Sequence, residues 1–344
     1  MKKLTIAQIA ELAGVSKATV SRVLNNYPHI SPAVREKVQQ VIAETGYQPN
    51  NIARMLASER SNIIGLLVPS DARKVFTDPY YPTLTEGVSR GAHHHNLTLS
   101  LFIVYTPGEG LTTIRNIISA GLLDGLIITA DDKNYSHIEL LVQSQLPFVL
   151  IGNLAHIDGI PCRIDVDNVD GGRTATEHLI NLGYQRVATI ASNKNLSGEE
   201  RLQGYRQALE AHGRPFEPDL VVYGDYSAES AYIAMQRLLA LDELPDAIFI
   251  ASDSMAIGAM RAIREAGLQV PDDVAIVGFD DLPTAVQTDP PLTTIHQPID
   301  EVGRLAVSTL LDLADNPETT PREIILPTKL VIRATCGAVK NTII

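Results

Sequence analysis

The stretch AGVSKATVSRVLNN, residues 13–26, decides how the amino-terminal part of this 344-residue chain folds. Val20, Val23 and Leu24 recur at helical spacing, while Lys17, Ala18, Ser21, Arg22 and Asn25 share the neighbouring edge. Gly14 supplies the turn before this segment and Ser16 its N-cap. Upstream, Thr5 can cap a helix whose inward face is Ile6, Ile9, Ala10 and Ala13. Downstream, Ser31 and Pro32 open a third helix with apolar residues at Val34, Val38, Val41 and Ile42, and Gly46 ends it. Three short helices around one small core predict a helix-turn-helix headpiece over residues 1–46.

The charge is divided unevenly around that headpiece. Residues 1–62 hold eight Lys/Arg against four Asp/Glu, or +4; the remainder holds 20 against 36, or −16, giving the net −12. A polyanion is drawn to such a head and repelled by such a body. Apolar residues make up 45% of the chain and charged residues 20%, an ordinary globular composition. The start, MKKLTIAQIAELAG, lacks an apolar signal core, and no run approaches 18 apolar residues, so neither export nor a membrane span is expected. The two cysteines, Cys162 and Cys336, are expected as free thiols, and the chain as cytoplasmic.

Residues 47–62 are a hinge segment. NIARMLASERS offers about nine residues of helix-compatible sequence with little apolar face, too short to hold a helix alone in water. From Ile63 onward β-branched runs alternate with amphipathic helical stretches: 63–69, 97–104, 123–129, 147–152, 186–191, 246–251 and 273–277. That rhythm predicts buried parallel sheets in doubly wound α/β domains. About 280 residues exceed one such sheet, so two lobes are expected within residues 63–344. The amino-terminal lobe would take 63–164 plus 295–327 and the carboxy-terminal lobe 165–292 plus 328–340.

A DNA major groove admits one helix, and the second helix of a helix-turn-helix fills it. Lys17 and Ala18 sit in the first turn of that helix, and Arg22 lies on the same side, able to bond guanine O6 and N7 together. Thr5, Ser16, Thr19, Ser21 and Asn25 are short polar groups suited to phosphate oxygens. The bland alternative is a three-helix bundle whose polar face is merely solvated.

TIAQIAELAGVSKATVSRVLNN, followed by ISPAVREKV, GYQPN and Leu56–Ala57, resembles the headpiece of the LacI/GalR family of bacterial regulators. VDNVDGG (166–172), ERLQGYRQAL (200–209), SDSMAIGAMRAI (252–263), VPDDVAIVGFDD (270–281) and PPLTTIHQP (290–298) extend the likeness to nearly the whole chain. The resemblance implies a periplasmic-binding-protein-like core and a homodimer on a pseudo-palindromic double-stranded operator. It also implies that Tyr47, Asn50 and Ala53 join the DNA contacts, with Leu56 as a minor-groove wedge between the small Ala53 and Ala57. The end, CGAVKNTII, carries no leucine-heptad tail, which favours a dimer over a tetramer.

Ligands of open α/β sheets sit beyond the carboxyl ends of the strands. Those positions hold Asp71, Asp131, Asn153, Asn193, Asp225, Tyr226, Asp253, Asp280 and Asp281, a set rich in carboxylates and amides. With no phosphate loop and no lysine cluster, it suits a neutral polyhydroxy effector, a sugar or a nucleoside. The family resemblance implies Arg201 and Asp280 as effector-holding groups, Ser252 and Asp253 at a contact strand end, and Tyr226 as a stacking ring. It adds Tyr80 and Tyr81 at the pocket edge and Asn195 and Ser197 in a contributing loop. The bland readings are helix caps for the aspartates, core packing for the tyrosines and a surface ion pair for Arg201.

GVSRG (87–91) fits a hydrolase nucleophile elbow but lies inside a helical run, so Ser89 is expected as an ordinary helix residue. His93, His94 and His95 point about 100° apart on a helix and cannot converge on one metal. No enzyme and no cofactor is expected. The sequence reads as a carbohydrate-responsive repressor of transcription. A purine-responsive regulator and a solute-binding protein without gene control are the rivals, and residues 1–62 speak against the second.

Overall fold

The computed structural model describes residues 4–24, 27–47, 60–104, 107–130, 136–154, 157–316 and 320–338. They fall into two units, Met1–Ser61 and Asn62–Ile344.

In the first unit α1 (Ile6–Ala13), α2 (Lys17–Leu24) and α3 (Pro32–Thr45) pack around Ile9, Ala10, Ala13, Val20, Val23 and Val38. Thr5 and Gln8 form a reciprocal capping box at the start of α1. Gly14, at φ 61°, ends α1 in the left-handed region that favours glycine and lets the chain turn directly into α2. The Arg35 guanidinium donates to the Tyr27 carbonyl at 2.6 Å and ties the loop before α3 to that helix.

The second unit holds two six-stranded sheets. The first is parallel throughout. It consists of β1 (Ile63–Val68), β2 (Thr98–Ile103), β3 (Gly125–Thr129), β4 (Phe148–Ile151), β5 (Cys162–Val166) and β11 (Arg322–Leu326), in the order β11-β5-β4-β3-β1-β2. The second consists of β6 (Val187–Ser192), β7 (Val221–Gly224), β8 (Ala247–Ile250), β9 (Ala275–Asp280), β10 (Thr293–His296) and β12 (Lys329–Val331). Its order is β12-β10-β9-β8-β6-β7, with only β12 antiparallel. Strands β3, β4, β6, β8 and β9 are buried along their whole length, which is why they read as continuous apolar runs.

Helices cover the sheets: α4 (Ala72–Thr77), α5 (Tyr80–His94), α6 (Pro107–Ala120), α7 (Ser136–Val142), α8 (Asn168–Asn181), α9 (Leu196–Ala211), α10 (Ala228–Leu239), α11 (Asp253–Glu265) and α12 (Ile299–Asp315). The chain passes between the sheets three times, after Val166, after His296 and after Leu326. These crossings differ from the expected 164/165 and 292/295 limits. Asp165 and Val166 keep the parallel register with Ile325 and Leu326, so β5 finishes in the first sheet. All of β10 pairs with β9 or β12 in the second.

Pairs of helices meet at glycine, α10 and α11 among them, where a Cβ on Gly258 would lie 1.8 Å from the Ala228 carbonyl oxygen. A Cβ on Gly172 of α8 would lie 2.3 Å from the Arg201 carbonyl oxygen, and one on Gly204 of α9 2.1 Å from that of Val169. Only hydrogen fits there, and the close crossing fixes Arg201 beside Asn168. GVSRG has the same explanation: a Cβ on Gly87 would lie 2.3 Å from the Asp300 carbonyl oxygen on α12. Ser89 sits within α5 rather than at a strand-to-helix elbow, and His93 and His94 close that helix. Cys162 and Cys336 are buried free thiols. Among the described residues, no helix is long and apolar enough to cross a membrane.

Candidate DNA face and ligand cleft

On the headpiece, α2 turns Val20 and Val23 inward and leaves Lys17, Ala18 and Arg22 exposed. Thr19 and Ser21 are half-buried along the same helix. Ser16 caps α2: its hydroxyl accepts from the Thr19 amide at 3.1 Å and meets the Thr19 hydroxyl at 2.9 Å. Thr5 is exposed at the start of α1, with its own amide donating to the Gln8 side chain at 2.9 Å. The free amides of a first turn, an exposed lysine and an exposed arginine make an edge that can meet phosphates and base edges together. Tyr47 is half-buried and packs on the headpiece core. Asn25, Asn50, Ala53 and Leu56 lie outside the described residues.

In the second unit, Arg201 of α9 is 5% exposed, and its Nε and Nη1 are held by polar partners. Its Nε donates to Asn168 Oδ1 at 2.9 Å, and Nη1 donates to the Ala251 carbonyl at 2.6 Å and reaches Asp280 Oδ1 at 3.4 Å. The guanidinium lies 3.6 Å from the centroid of Phe279. Asp280, at the end of β9, also accepts from the Gln297 amide at 2.5 Å. Burial pushes its pKa up to about 7, against the opposing pull of Arg201. Asp165 is likewise raised to about 6 by burial.

Ser252 caps α11, accepting from the Met255 amide at 3.2 Å. Asp253 is fully buried, and its oxygens accept from the Thr294 hydroxyl at 2.6 Å and the Leu282 amide at 2.8 Å. It therefore pins the turn after β9; burial, with Asp280 nearby, holds its carboxyl well above the usual range. Asp280 (φ 117°), Asp281 (φ 59°) and Tyr226 (φ 72°) occupy the left-handed side of backbone space without being glycine. Such strain gathers at functional sites, where the surroundings over-determine it. Asn195 caps α9 and also accepts from the Tyr226 hydroxyl at 2.7 Å, with Ser197 in the same first turn. Tyr81 is core, packed edge-on against the partly buried Tyr80 with ring centroids 5.4 Å apart.

Among the described residues, the contacts that bring the ends of the two sheets together include three between side chains. The Ser254 hydroxyl donates to Asp78 Oδ1 at 3.2 Å, Lys74 Nζ lies 5.7 Å from the Tyr226 centroid, and Asn153 Nδ2 donates to Glu200 Oε1 at 2.7 Å. Asp78, Lys74, Asn168, Glu200 and Gln297 were not among the sequence candidates. Asn168 lies within the VDNVDGG motif, but only packing shows that its side chain holds Arg201. The cleft between the strand ends carries carboxylates, amides and hydroxyls, with Arg201 paired to Asp280, a lining that bonds hydroxyls better than anions.

The model of bacterial regulatory proteins of the lacI family matches residues 5–50, and that of the periplasmic binding protein-like domain matches residues 176–336. The HTH-type transcriptional regulator CelR of Thermobifida fusca is 36% identical over 336 residues, 96% of this chain and 97% of its own length. A solved CelR–cellobiose complex superposes with a TM-score of 0.76 at 34% identity, over 97% of this chain and 100% of that one. The lac repressor dimer bound to operator and the anti-inducer ONPF superposes with a TM-score of 0.84 at 32% identity, over 97% and 99%.

Proposed function

The chain belongs to the LacI family of bacterial regulatory proteins, a family of DNA-binding regulators and not of enzymes, and on that premise we propose how its parts divide the work. It is a transcriptional repressor that answers to a carbohydrate. Residues 1–46 bind DNA, 47–62 are the hinge, and 63–344 hold the effector and the dimer contacts. Two copies place two α2 helices in successive major grooves of a pseudo-palindromic operator in the cytoplasm. Arg22 reads a guanine, Lys17 and Ala18 face neighbouring bases, and Thr5, Ser16, Thr19, Ser21 and Asn25 take phosphates. Tyr47, Asn50, Ala53 and Leu56 extend the contact toward the minor groove.

The effector sits between the two sheets, held by Arg201 and Asp280. Ser252, Asp253, Asn195 and Ser197 shape the far wall, with Tyr226 and Tyr80 at its edges and the buried Tyr81 packed behind Tyr80. Sugar binding selects one arrangement of the lobes, and a coupling of about 1–3 kcal/mol between the sites moves operator occupancy. The observation that carries this reading is the exposed Lys17–Ala18–Arg22 edge of α2, on a +4 segment joined to a −16 body. Cellobiose bound to CelR supports a sugar as the ligand class.

Selection of duplexes from a random pool tests the proposal. The expected product is a pseudo-palindrome for which log affinity falls linearly with log salt, by about 0.9 log unit per phosphate neutralised for each tenfold rise in salt. Thermal shift against mono- and disaccharides, cellobiose among them, should then give one sugar that raises the unfolding midpoint by about 5–10 °C at 100 times its Kd. No enriched duplex would defeat the DNA assignment. A shift from a purine nucleoside alone would replace the sugar.

A further inference from the structure

Arg201 is the end of a longer chain of polar contacts. Asn168, whose Oδ1 receives Arg201 Nε, turns its amide toward Glu200 Oε2 at 3.2 Å and Asp165 Oδ1 at 3.2 Å. The other oxygen of Glu200 accepts from Asn153 Nδ2 at 2.7 Å, and Asn153 lies beyond β4, in the first sheet's half of the molecule. The Asn153 carbonyl oxygen accepts in turn from Arg163 of β5, and Arg163 pairs with Glu323 of β11. Arg163 and Glu323 face each other in the parallel register of those strands. Strands β5 and β11 are also the two from which the chain leaves the first sheet for the second. One row of side chains thus runs from the crossover strands, across the gap, to the guanidinium proposed to hold the effector.

We propose that Glu200 and Asn153 form an inter-lobe clasp, and that Glu200 is a positioning residue through which Arg201 and the crossover strands sense each other. This rests on the function proposed above. The chemistry of the pair is specific. Glu200 accepts from two amide groups at once, which only a carboxylate can do with both oxygens. E200Q keeps one acceptor and turns an N–H toward a neighbouring amide. N153D sets two carboxylates face to face. Together the two changes restore every bond. The new amide at position 200 donates to the new carboxylate at position 153 and accepts from Asn168, while that carboxylate still accepts from Arg163.

The test uses the full chain without effector, on the operator duplex that the wild type selects. E200Q and N153D should each change the operator Kd at least about fivefold, in the same direction, and E200Q/N153D should return to within about twofold of wild type. Single variants within twofold of wild type, or a double variant equal to the product of the singles, would overturn the clasp. If the wild type selects no duplex, the regulator reading fails instead. The clasp is then judged from thermal unfolding, where the singles should melt about 2–4 °C lower and the double should recover. An unrecovered double would sink it there too.

Discussion

In the headpiece α2 keeps its charged edge in water, whereas in the core Arg201 has been withdrawn from it. The difference follows from what each group must meet. Phosphates and base edges arrive from outside, so Lys17 and Arg22 stand exposed over a small apolar core and cost the fold little. A buried guanidinium pays a desolvation penalty that only good geometry offsets. Arg201 accordingly has two neutral acceptors, a carboxylate and an aromatic face. Stability and recognition are therefore separable at the DNA face and inseparable in the cleft.

Arg201→Ala should break that contrast most severely. Above about pH 7 it leaves an ionised Asp280 buried without its cation, and removing one partner of such a pair costs about 3–5 kcal/mol. Urea unfolding should show this loss together with a lost sugar response. Arg201→Met with Asp280→Leu should be less damaging than the single change, and a more damaging double would refute the buried-pair account.

Ile9→Ala tests the small headpiece core. Ile9 is fully buried there, so about 2–5 kcal/mol is expected. Operator binding should vanish, while the sugar-dependent melting of the core stays as in wild type. A core transition that falls with it would mean that the two units do not unfold separately.

Arg22→Ala should lose about 1–3 kcal/mol of discrimination at one base pair with no change in melting temperature. Unchanged selectivity would remove α2 from the major groove, and a large drop in stability would erase the distinction between the two regions.

Proton linkage gives the most gradual effect. Asp280 is held near 7 when folded, against about 3.9 in an unfolded chain. Between those values the folded state keeps a proton that the unfolded state releases, so this group's contribution to stability declines as pH rises from about 4 to 7. Asp280→Asn should flatten the pH dependence by at most about 1.4 kcal/mol per pH unit in that window. Parallel slopes for variant and wild type, measured by urea unfolding at pH 5, 6 and 7, would contradict the burial of an uncharged Asp280.

All seven apolar runs read from the sequence became strands; five of them, β3, β4, β6, β8 and β9, are buried along their whole length, and such a strand reads as consecutive apolar residues. Strands β5, β7, β10, β11 and β12 escaped. CRIDV and REIIL mix charge with apolar residues, VVYG and TTIH are four residues long, and KLV is three. Their pairing is decided by neighbours distant in the chain. Arg163 meets Glu323 across 160 residues, and no local pattern announces that.

By itself the sequence determined the three headpiece helices, the outward edge of α2 and the alternation of strand and helix. Caps, turns and apolar spacing act within a few residues of one another. Only the tertiary structure decided that Asp253 turns inward to hold Thr294 and Leu282, that Tyr81 is core, and that Asn168 and Glu200 link Arg201 to Asn153. Those roles depend on which polar groups burial brings within about 3 Å, and burial is a property of the packed chain.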